Sequence, residues 1–324
     1  MPKGSASRLK RALALSVFCL LTLGSCHARS PGPFSRARVL EQVRAKYPNA
    51  TLPPDVLPPG VTAHEDVIYA EPSGVRLALD LYAPSAAAPL PAVIVVHGGG
   101  WESGERQMER PFAKRLAALG YVAAPVSYRL GPAGRFPNAL YDLKAAVRFL
   151  RENSTKFGID PERIGALGGS AGGQLVALLG ASNGVQRLAG DGANATSSAV
   201  QAVVDIDGLA SFSGPDLLAK EFHTPGGPTR FLGGSFNSRA STWREASALT
   251  HVSAASAPTL FIDSTAPTPI LPGRPEMRDA LRAHGVASEL VVLPDTPHPF
   301  WLVEPWFSKT LQETARFLGE HLRK

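Results

Sequence analysis

The stretch RIGALGGSAGGQLVALLGAS, residues 163–182, contains one central serine surrounded by glycines. Its beginning, residues 163–168, is typical of a short strand, and its end, residues 173–182, of a buried helix. Glycine loses more conformational freedom on folding than any other residue, so a cluster of ordered glycines needs a structural reason. A sharp turn supplies one, because side chains beside Ser170 would clash as the chain reverses. The stretch therefore predicts a strand, a tight turn that exposes the Ser170 hydroxyl, and a helix.

Gly168, Ser170 and Gly172 fit the pattern Gly-x-Ser-x-Gly, which carries a nucleophilic serine in many enzymes. The turn lifts the hydroxyl above the sheet, and the amino terminus of the helix directs backbone N–H groups at developing negative charge. Two other interpretations are a flexible loop and a phosphate-binding loop. The second of these normally carries Gly-Lys-Ser/Thr, which does not follow here. The pattern favours a nucleophile turn.

Strand-like and helix-like segments alternate on both sides of this turn. The strand-like segments cover residues 65–70, 75–83, 92–100, 121–128, 163–168, 200–207, 258–263 and 288–294. The helix-like segments cover residues 108–120, 137–153, 173–182, 276–285 and 305–322. Strands that alternate with helices predict an α/β fold with a mostly parallel, eight-stranded sheet and helices on both faces. Residues 209–256 interrupt the alternation, and we expect them to form an insertion over the edge of the sheet that carries the site.

Composition limits the class of protein. Of 324 residues, 44% are hydrophobic and 19% are charged, which is typical of a globular chain. Much of the formal net charge of +6 comes from four cations before residue 12: Lys3, Arg8, Lys10 and Arg11. Without them the chain is almost neutral, so we expect no nucleic-acid partner.

The amino terminus has the layout of a secretory signal. The four cations precede a short apolar run, residues 12–26, that is too short to span a membrane comfortably. The run ends in Leu-Gly-Ser-Cys, which resembles the cleavage site of bacterial lipoproteins and makes Cys26 the lipid-bearing residue. Cleavage after Ala28 by the ordinary signal peptidase is the alternative. Because Cys19 leaves with the signal, no intramolecular disulfide and no cysteine-ligated metal site is expected.

A second glycine cluster follows the strand at residues 92–96. It reads His97-Gly98-Gly99-Gly100-Trp101. Glycines at this place let backbone amides approach a substrate, so Gly99 and Gly100 are candidate donors to an oxyanion. The amide of Ala171, directly after the serine, is a third candidate. His97 precedes this loop, which indicates a structural hydrogen-bonding role.

A histidine follows the last strand, in the segment LPDTPHPFW, residues 293–301. A base at the end of that strand can reach over the serine. The chain order serine, acid, histidine is one of the orders known for catalytic triads. His298 is therefore the candidate general base.

Several motifs together resemble those of a known superfamily. They are HGGGW (97–101), FPNALYDLKAAVRFLREN (136–153), FGIDPERIGALGGSAGGQLVALL (157–179) and PHPFW (297–301). They resemble the α/β-hydrolase superfamily, in the esterase branch near hormone-sensitive lipase and the bacterial carbohydrate esterases. The resemblance covers about residues 62–322 and implies an α/β-hydrolase fold and a serine carboxylesterase that uses an acyl-enzyme and neither metal nor organic cofactor. The residues it implies are Ser170 as nucleophile, His298 as base, and Gly99, Gly100 and Ala171 as oxyanion hole.

The third member of the triad departs from this pattern. Relatives carry the acid in a short segment after the seventh strand, where this chain has Pro267. Asp207, at the end of the strand after the nucleophile helix, is our first candidate and resembles the acid of pancreatic-type lipases. Asp263, at the end of the next strand, is the second. Glu276 and Asp295 are weaker, because one starts a helix and the other lies three residues before the histidine.

Aromatic residues concentrate near these motifs. Trp101 and Trp301, together with Trp243, Trp306 and Phe307, form either a stacking platform for sugar rings or ordinary packing. Export and the resemblance favour an esterase that removes acetyl groups, or methyl or feruloyl groups, from polysaccharides. The alternatives are a serine peptidase of the prolyl-peptidase type and a non-catalytic binding lipoprotein on a hydrolase scaffold.

These observations divide the chain into three parts. Residues 1–25 are predicted to be a signal peptide of the lipoprotein type. Residues 26–60, rich in Pro, Arg and Ala with one short helix at residues 35–47, are predicted to be a tether. Residues 61–324 are predicted to be the catalytic domain. The expected location is the bacterial cell envelope by a lipid anchor, or otherwise the periplasm or the medium.

Overall fold

The sheet decides where the site lies. The computed structural model describes residues 34–190, 196–265 and 271–323. Its strands are β1 (Val61–Ala70), β2 (Leu77–Pro84), β3 (Leu90–Val96), β4 (Val122–Val126), β5 (Ile159–Gly169), β6 (Ala202–Ile206), β7 (Thr259–Ser264) and β8 (Ser288–Leu293). They form one sheet in the order β1-β2-β4-β3-β5-β6-β7-β8. The pairs β1/β2 and β2/β4 are antiparallel and the other neighbours are parallel. The predicted mostly parallel, eight-stranded sheet is confirmed.

Helices cover both faces of the sheet. They are α1 (Arg36–Arg44), α2 (Arg110–Ala118), α3 (Asn138–Glu152), α4 (Ser154–Phe157), α5 (Ala171–Ala181), α6 (Pro215–His223), α7 (Gly227–Phe231), α8 (Phe236–Glu245), α9 (Arg274–Ala283) and α10 (Trp306–Leu322). None of these described helices combines the length and the apolar character needed to cross a membrane.

The middle strand β3 shows how the two faces are filled. Ala92, Ile94 and Val96 belong to one apolar core with residues of α3 and α5, whereas Val93 and Val95 belong to another with residues of α2 and α10. Successive side chains of a strand point to opposite faces. Burial on both faces therefore explains why β3 is a continuous apolar run.

The strand register brings several loops to one edge. In the parallel part, Gly169 at the end of β5 is in register with Ile206 at the end of β6, and Ile206 is in register with Ile262 in β7. The residues that follow β5 and β6, Ser170 and Asp207, therefore leave the sheet side by side. Such an edge is where α/β folds bind their ligands.

The segment predicted as a tether, residues 26–60, packs on the domain over its described part. The short helix is present as α1, and Val39 and Val43, four residues apart on one face, are buried in the core with Phe112. Ala50 is buried in the same core. The tether prediction is wrong for residues 34–60, because the apolar face of α1 finds apolar partners on the domain. Residues 26–33 lie outside the described residues.

The packing of α1 has a measurable consequence. The double substitution Val39→Ala/Val43→Ala is expected to lower the free energy of unfolding by about 3 kcal/mol, because it removes four buried methyl groups at about 0.8 kcal/mol each. Urea denaturation measures this change. Glu41→Ala, on the exposed face of the same helix, is the control and should shift the free energy by less than about 0.5 kcal/mol. Equal effects of the two variants would contradict the docking of α1.

Candidate active site

Ser170 lies on the predicted turn between β5 and α5. Its φ is 56° and its ψ is −119°, a backbone conformation that is unfavourable for a residue with a side chain. The neighbouring glycines are required by close contacts. A Cβ at Gly172 would collide with the carbonyl oxygen of Val96, and one at Gly169 would collide with the ring of Trp301. The strand, turn and helix predicted from residues 163–182 are present.

Three of the candidate side chains meet at this turn. Nε2 of His298 lies 3.1 Å from Oγ of Ser170. Nδ1 of the same ring lies 2.9 Å from Oδ2 of Asp207. The side chain of Asp207 is fully buried, whereas that of His298 is 24% exposed. The structure thus joins a hydroxyl, an imidazole and a buried carboxylate in a chain of hydrogen bonds, with the imidazole accessible from outside.

The carboxylate of Asp207 is fixed from the neighbouring strand. Its Oδ1 accepts a hydrogen bond from the backbone N–H of Ser264 at 2.7 Å, and its own N–H donates to the carbonyl oxygen of Ile262 at 2.9 Å. Its φ of 48° turns the side chain out of the line of β6. Asp207 therefore owes its position to β7 as much as to its own strand.

The other acid candidates are placed elsewhere. The carboxylate of Asp263 pairs with the buried Arg274, and Nδ1 of His298 is already bound to Asp207. Asp295 accepts a hydrogen bond from the hydroxyl of Tyr47 at 2.8 Å. Glu276 lies in the first turn of α9. Pro267, where relatives have their acid, lies outside the described residues.

The glycine loop after β3 lies against the nucleophile turn. Gly99 and Gly100 have φ values of 115° and 63°, which glycine adopts without strain. A Cβ at Gly98 would lie 3.2 Å from Cβ of Ser170, so the loop and the turn are in contact. Gly100 and Ala171 line the same pocket as Ser170. Gly100 and Ala171 therefore lie where the predicted oxyanion role needs them, and the role of Gly99, Gly100 and Ala171 stays a prediction.

His97 is structural, as its place before the loop indicated. Its ring is buried, stacks on Tyr128 with centroids 4.4 Å apart, and donates from Nδ1 to the carbonyl oxygen of Gly98 at 2.8 Å. Burial lowers the pKa of His97 to about 4. The neutral ring therefore holds the start of the glycine loop without taking a proton at neutral pH.

The pocket in front of Ser170 has a volume of about 190 Å³. One wall is formed by Gly100, Trp101 and Ala171. The predicted insertion also lines the pocket, through Leu217, Lys220, Glu221 and residues 226–228. The insertion prediction therefore places residues 209–256 correctly beside the site. In the described part of the chain, no group of three or more His, Cys, Asp or Glu side chains is arranged to hold a metal ion.

A buried carboxylate holds the insertion wall in shape. Oε2 of Glu221 accepts hydrogen bonds from the N–H of Gly226 at 2.8 Å, from the N–H of Thr229 at 3.2 Å and from the hydroxyl of Thr229 at 2.7 Å. These bonds tie α6 to the loop that leads into α7. Residues 226–228, at the start of α7, are thereby fixed against Trp101.

The predicted aromatic platform is wrong for most of its members. Four of the five rings are covered by protein. Their exposed fractions are 1% for Trp301, 0% for Trp243, 6% for Trp306 and 3% for Phe307. Trp301 packs edge-on against His298 with centroids 5.3 Å apart. These rings support the site from within. Trp101 is also only 6% exposed and stacks on Phe231 with centroids 4.8 Å apart, but it lines the pocket. Its Nε1 donates to the buried Gln174 at 3.0 Å.

Sequence reasoning missed Glu109, which lies behind Trp301. Its side chain accepts a hydrogen bond from Nε1 of Trp301 at 3.4 Å, and the residue is only 3% exposed. Burial raises the pKa of Glu109 to about 7. The sequence carries no signal for this role, since a glutamate at the start of a helix is common on protein surfaces.

The pKa of Glu109 predicts how stability depends on pH. The folded state binds this proton more tightly than the unfolded state, so the wild type loses stability as pH rises from about 4.5 through about 7. The shift corresponds to about 3 kcal/mol. Glu109→Gln is therefore expected to gain about 3 kcal/mol relative to the wild type between pH 4.5 and about pH 8.

Denaturant unfolding at both pH values measures that gain. Glu105→Gln, a change at an exposed position four residues earlier, is the matched control and should show no gain with pH. A Glu109→Gln stability difference that is the same at both pH values would contradict the raised pKa of Glu109.

A family model supplies the classification. The model of the BD-FAE family matches residues 79–272, which is more than half of the chain. The chain belongs to the BD-FAE family. The matched residues of this BD-FAE protein include the glycine loop, the nucleophile turn and Asp207, and they end before His298.

Known relatives agree with this assignment. The BD-FAE chain is 34% identical over 151 residues to the carboxylesterase NlhH of Mycobacterium tuberculosis, which is 46% of this chain and 47% of that protein. It therefore spans about half the length of this relative. The resemblance to the esterase branch of the α/β-hydrolase superfamily is confirmed.

Solved structures share the fold of the BD-FAE chain. A truncated carbohydrate esterase from gut microbiota has a TM-score of 0.72 at 22% identity and covers 85% of this chain and 100% of its own. The esterase Est2 of Thermogutta terrifontis, with propionate bound, has a TM-score of 0.67 at 25% identity and covers 81% and 94%. These similarities confirm the α/β-hydrolase fold.

Proposed function

We propose that this BD-FAE protein is a serine hydrolase of carboxylic esters. The observation that carries the proposal is the hydrogen-bonded series Asp207, His298 and Ser170, which opens into a pocket beside Gly100 and Ala171. Nucleophile, base and orienting acid are the groups that acyl transfer requires, and they lie at the edge where the strands end.

The distances fit an acyl-enzyme mechanism. Oγ of Ser170 attacks the ester carbonyl carbon while Nε2 of His298, 3.1 Å away, takes its proton. The carboxylate of Asp207 accepts Nδ1–H of His298 at 2.9 Å, fixes the ring and stabilises the imidazolium. His298 then gives the proton to the leaving alcohol oxygen, and the acyl group stays on Ser170.

The second half uses the same groups. A water molecule gives a proton to Nε2 of His298 and attacks the acyl carbon, and the proton returns to Oγ of Ser170 as the acid leaves. Backbone N–H groups of Gly99, Gly100 and Ala171 stabilise the oxyanion in both halves. One such donor is worth about 10²–10³ in rate.

Hydrolysis of p-nitrophenyl acetate tests the proposal. We expect turnover with an initial burst of p-nitrophenol close to the enzyme concentration, and no measurable cleavage of the matching anilide, p-nitroacetanilide. Comparable cleavage of the anilide would favour a serine peptidase. Turnover of neither compound would favour a binding protein on a hydrolase scaffold.

For the substrate class, we propose short acyl esters of polysaccharides, with acetyl esters first. The pocket volume of about 190 Å³ suits a short acyl group. Trp101 lines the pocket together with the serine, and the exposed Lys220 lines it as well. The Thermogutta esterase Est2, a structural neighbour, has been solved with propionate bound.

Release of acid from natural polymers tests this substrate class. Acetate release from acetylated xylan should exceed ferulate release from feruloylated arabinan and methanol release from pectin. With p-nitrophenyl esters, kcat/KM should fall from acetate to octanoate. Faster hydrolysis of octanoate than of acetate would contradict a short-acyl specificity.

For location, we propose export and anchoring through a lipid on Cys26. Cys26 and residues 1–25, the predicted signal, lie outside the described residues, and the proposal rests on their sequence. Cys26→Ser should move the protein out of the membrane fraction or leave an unprocessed precursor. Cys19→Ser is the matched control and should fractionate like the wild type. Membrane association that survives Cys26→Ser would contradict the lipid anchor.

A further inference from the structure

A buried arginine joins the two strands behind the site. The side chain of Arg274, at the start of α9, is 1% exposed. Its Nη1 lies 2.9 Å from Oδ1 of Asp205, and its Nη2 pairs with Oδ1 of Asp263. Asp205 lies in β6 and Asp263 in β7, which are neighbours in the sheet. One guanidinium therefore binds carboxylates of two adjacent strands at the point where both end.

The same guanidinium holds the backbone around Asp207. Arg274 donates to the carbonyl oxygen of Asp205 at 3.0 Å, to that of Gly208, and to that of Ile262 at 3.3 Å. Ile262 is the residue whose carbonyl oxygen also accepts the N–H of Asp207. Arg274 therefore binds the backbone on each side of Asp207, at Asp205 and Gly208, and also its backbone partner on β7, Ile262.

The backbone of Asp207 needs such support. Its φ of 48° lies in the left-handed region, where a residue with a side chain persists only if its surroundings hold it. The carboxylate of Asp205 adds to this support, because its Oδ1 also accepts the N–H of Gly208 at 2.8 Å. Arg274 and Asp205 thus define the turn on which Asp207 stands.

Stability alone does not explain this ion network. Within the described residues, Oδ2 of Asp205 and Nε of Arg274 have no hydrogen-bond partner. Burial raises the pKa of Asp205 to about 6 even though Arg274 lowers it, so desolvation outweighs the attraction. Apolar residues are often at least as stable in such a place. What Arg274 contributes is a fixed geometry, because its rigid planar guanidinium holds the carbonyl oxygens around Asp207.

We propose that Arg274 is a positioning residue that holds Asp207 against His298. It touches no substrate, and it acts by fixing the turn that keeps Oδ2 of Asp207 on Nδ1 of His298. This inference rests on the proposed function, because positioning the acid matters for a reaction in which His298 takes and returns a proton.

Three variants test the proposal with p-nitrophenyl acetate. Arg274→Met should lower kcat by about 10²-fold, as a misplaced catalytic group does, and should change KM less than threefold. Arg274→Lys, which keeps the charge but not the planar fork, should recover part of that loss. Arg278→Met, on the same helix and paired with the neighbouring Asp279, is the matched control and should keep the wild-type kcat.

A spectroscopic measurement separates positioning from loss of fold. The low-field proton resonance of Nδ1–H of His298 reports on its hydrogen bond to Asp207, and it should disappear in Arg274→Met while circular dichroism stays native. If that variant does not fold, Asp205→Asn/Asp263→Asn/Arg274→Met, which removes both carboxylate charges with the cation, is measured in its place.

The outcomes are distinct. A folded Arg274→Met or triple variant that keeps the resonance and loses less than tenfold in kcat overturns the role of Arg274. A wild type without activity on any ester refutes the proposed function instead. The resonance then still decides whether Arg274 positions Asp207.

Discussion

Ser170→Ala is expected to lower kcat for p-nitrophenyl acetate by about 10⁶-fold, the loss known when the nucleophile of a serine hydrolase is removed. The variant cannot form the acyl-enzyme, so the burst of p-nitrophenol should also vanish. Its fold should be retained, since the side chain projects from the turn into the pocket and its loss leaves no cavity in the core.

The control for this change lies at the far end of the helix that follows Ser170. Ser182 follows α5, and its hydroxyl donates to the carbonyl oxygen of Leu179 at 3.2 Å, far along the chain from the pocket. Ser182→Ala should keep kcat within about twofold. A Ser170→Ala protein that still hydrolyses the ester at a rate near the wild type, after purification to homogeneity, would refute Ser170 as the nucleophile.

Asp207→Asn should lower kcat by about 10⁴-fold with the fold intact. The amide keeps an oxygen for the N–H of Ser264, but it presents the wrong partner to Nδ1 of His298 and favours the unproductive tautomer of the ring. Steady-state kinetics across the neutral pH range measures the loss. KM should change little, because Asp207 acts on His298 and not on the bound ester.

Asp263→Asn is the matched variant for this prediction. It removes a carboxylate from the end of the neighbouring strand, where it pairs with Arg274. We expect a loss of about 10- to 100-fold, far below that of Asp207→Asn, as for a residue one step removed from the reacting groups. A large loss in Asp263→Asn combined with near-normal kcat in Asp207→Asn would reverse the assignment of the acid.

Local sterics made the centre of the site predictable. Gly168 is required by a contact within the reversal itself, because a Cβ there would collide with the carbonyl oxygen of Gly172. The alternation of apolar strands and amphipathic helices likewise determines a parallel sheet before any contact is known. For these reasons the turn at Ser170 and the class of fold could be predicted from short stretches of sequence.

The acid could not be decided in the same way. Asp207 and Asp263 end adjacent parallel strands, and both are plausible partners of a histidine at that edge. The choice between them depends on the φ of Asp207 and on Arg274. Arg274 begins a helix 67 residues after Asp207 and forms an ion pair with the carboxylate of Asp263. Such long-range pairing leaves no pattern in a local stretch of sequence.

The burial of the aromatic residues and of the amino-terminal helix could not be predicted from the sequence either. Tryptophan occurs both in cores and in sugar-binding sites, so its presence does not distinguish them. Trp301 is covered because it fills the space beside Gly169. The proline-rich composition of residues 26–60 favoured a tether, although Val39 and Val43 pack α1 against the domain. Glu109 gave no signal, since its burial results from packing between α2 and the segment before α10.

The insertion has an evolutionary consequence. The pocket wall at residues 226–228 is held by Glu221, within the insertion, whereas Ser170, Asp207 and His298 are held by the sheet and its loops. Wall and reaction centre are thus separately anchored modules. Mutations can reshape the wall, and with it the range of molecules admitted, while the chemistry of bond cleavage is inherited unchanged. Proteins built in this way can change their range of substrates when one surface segment is exchanged.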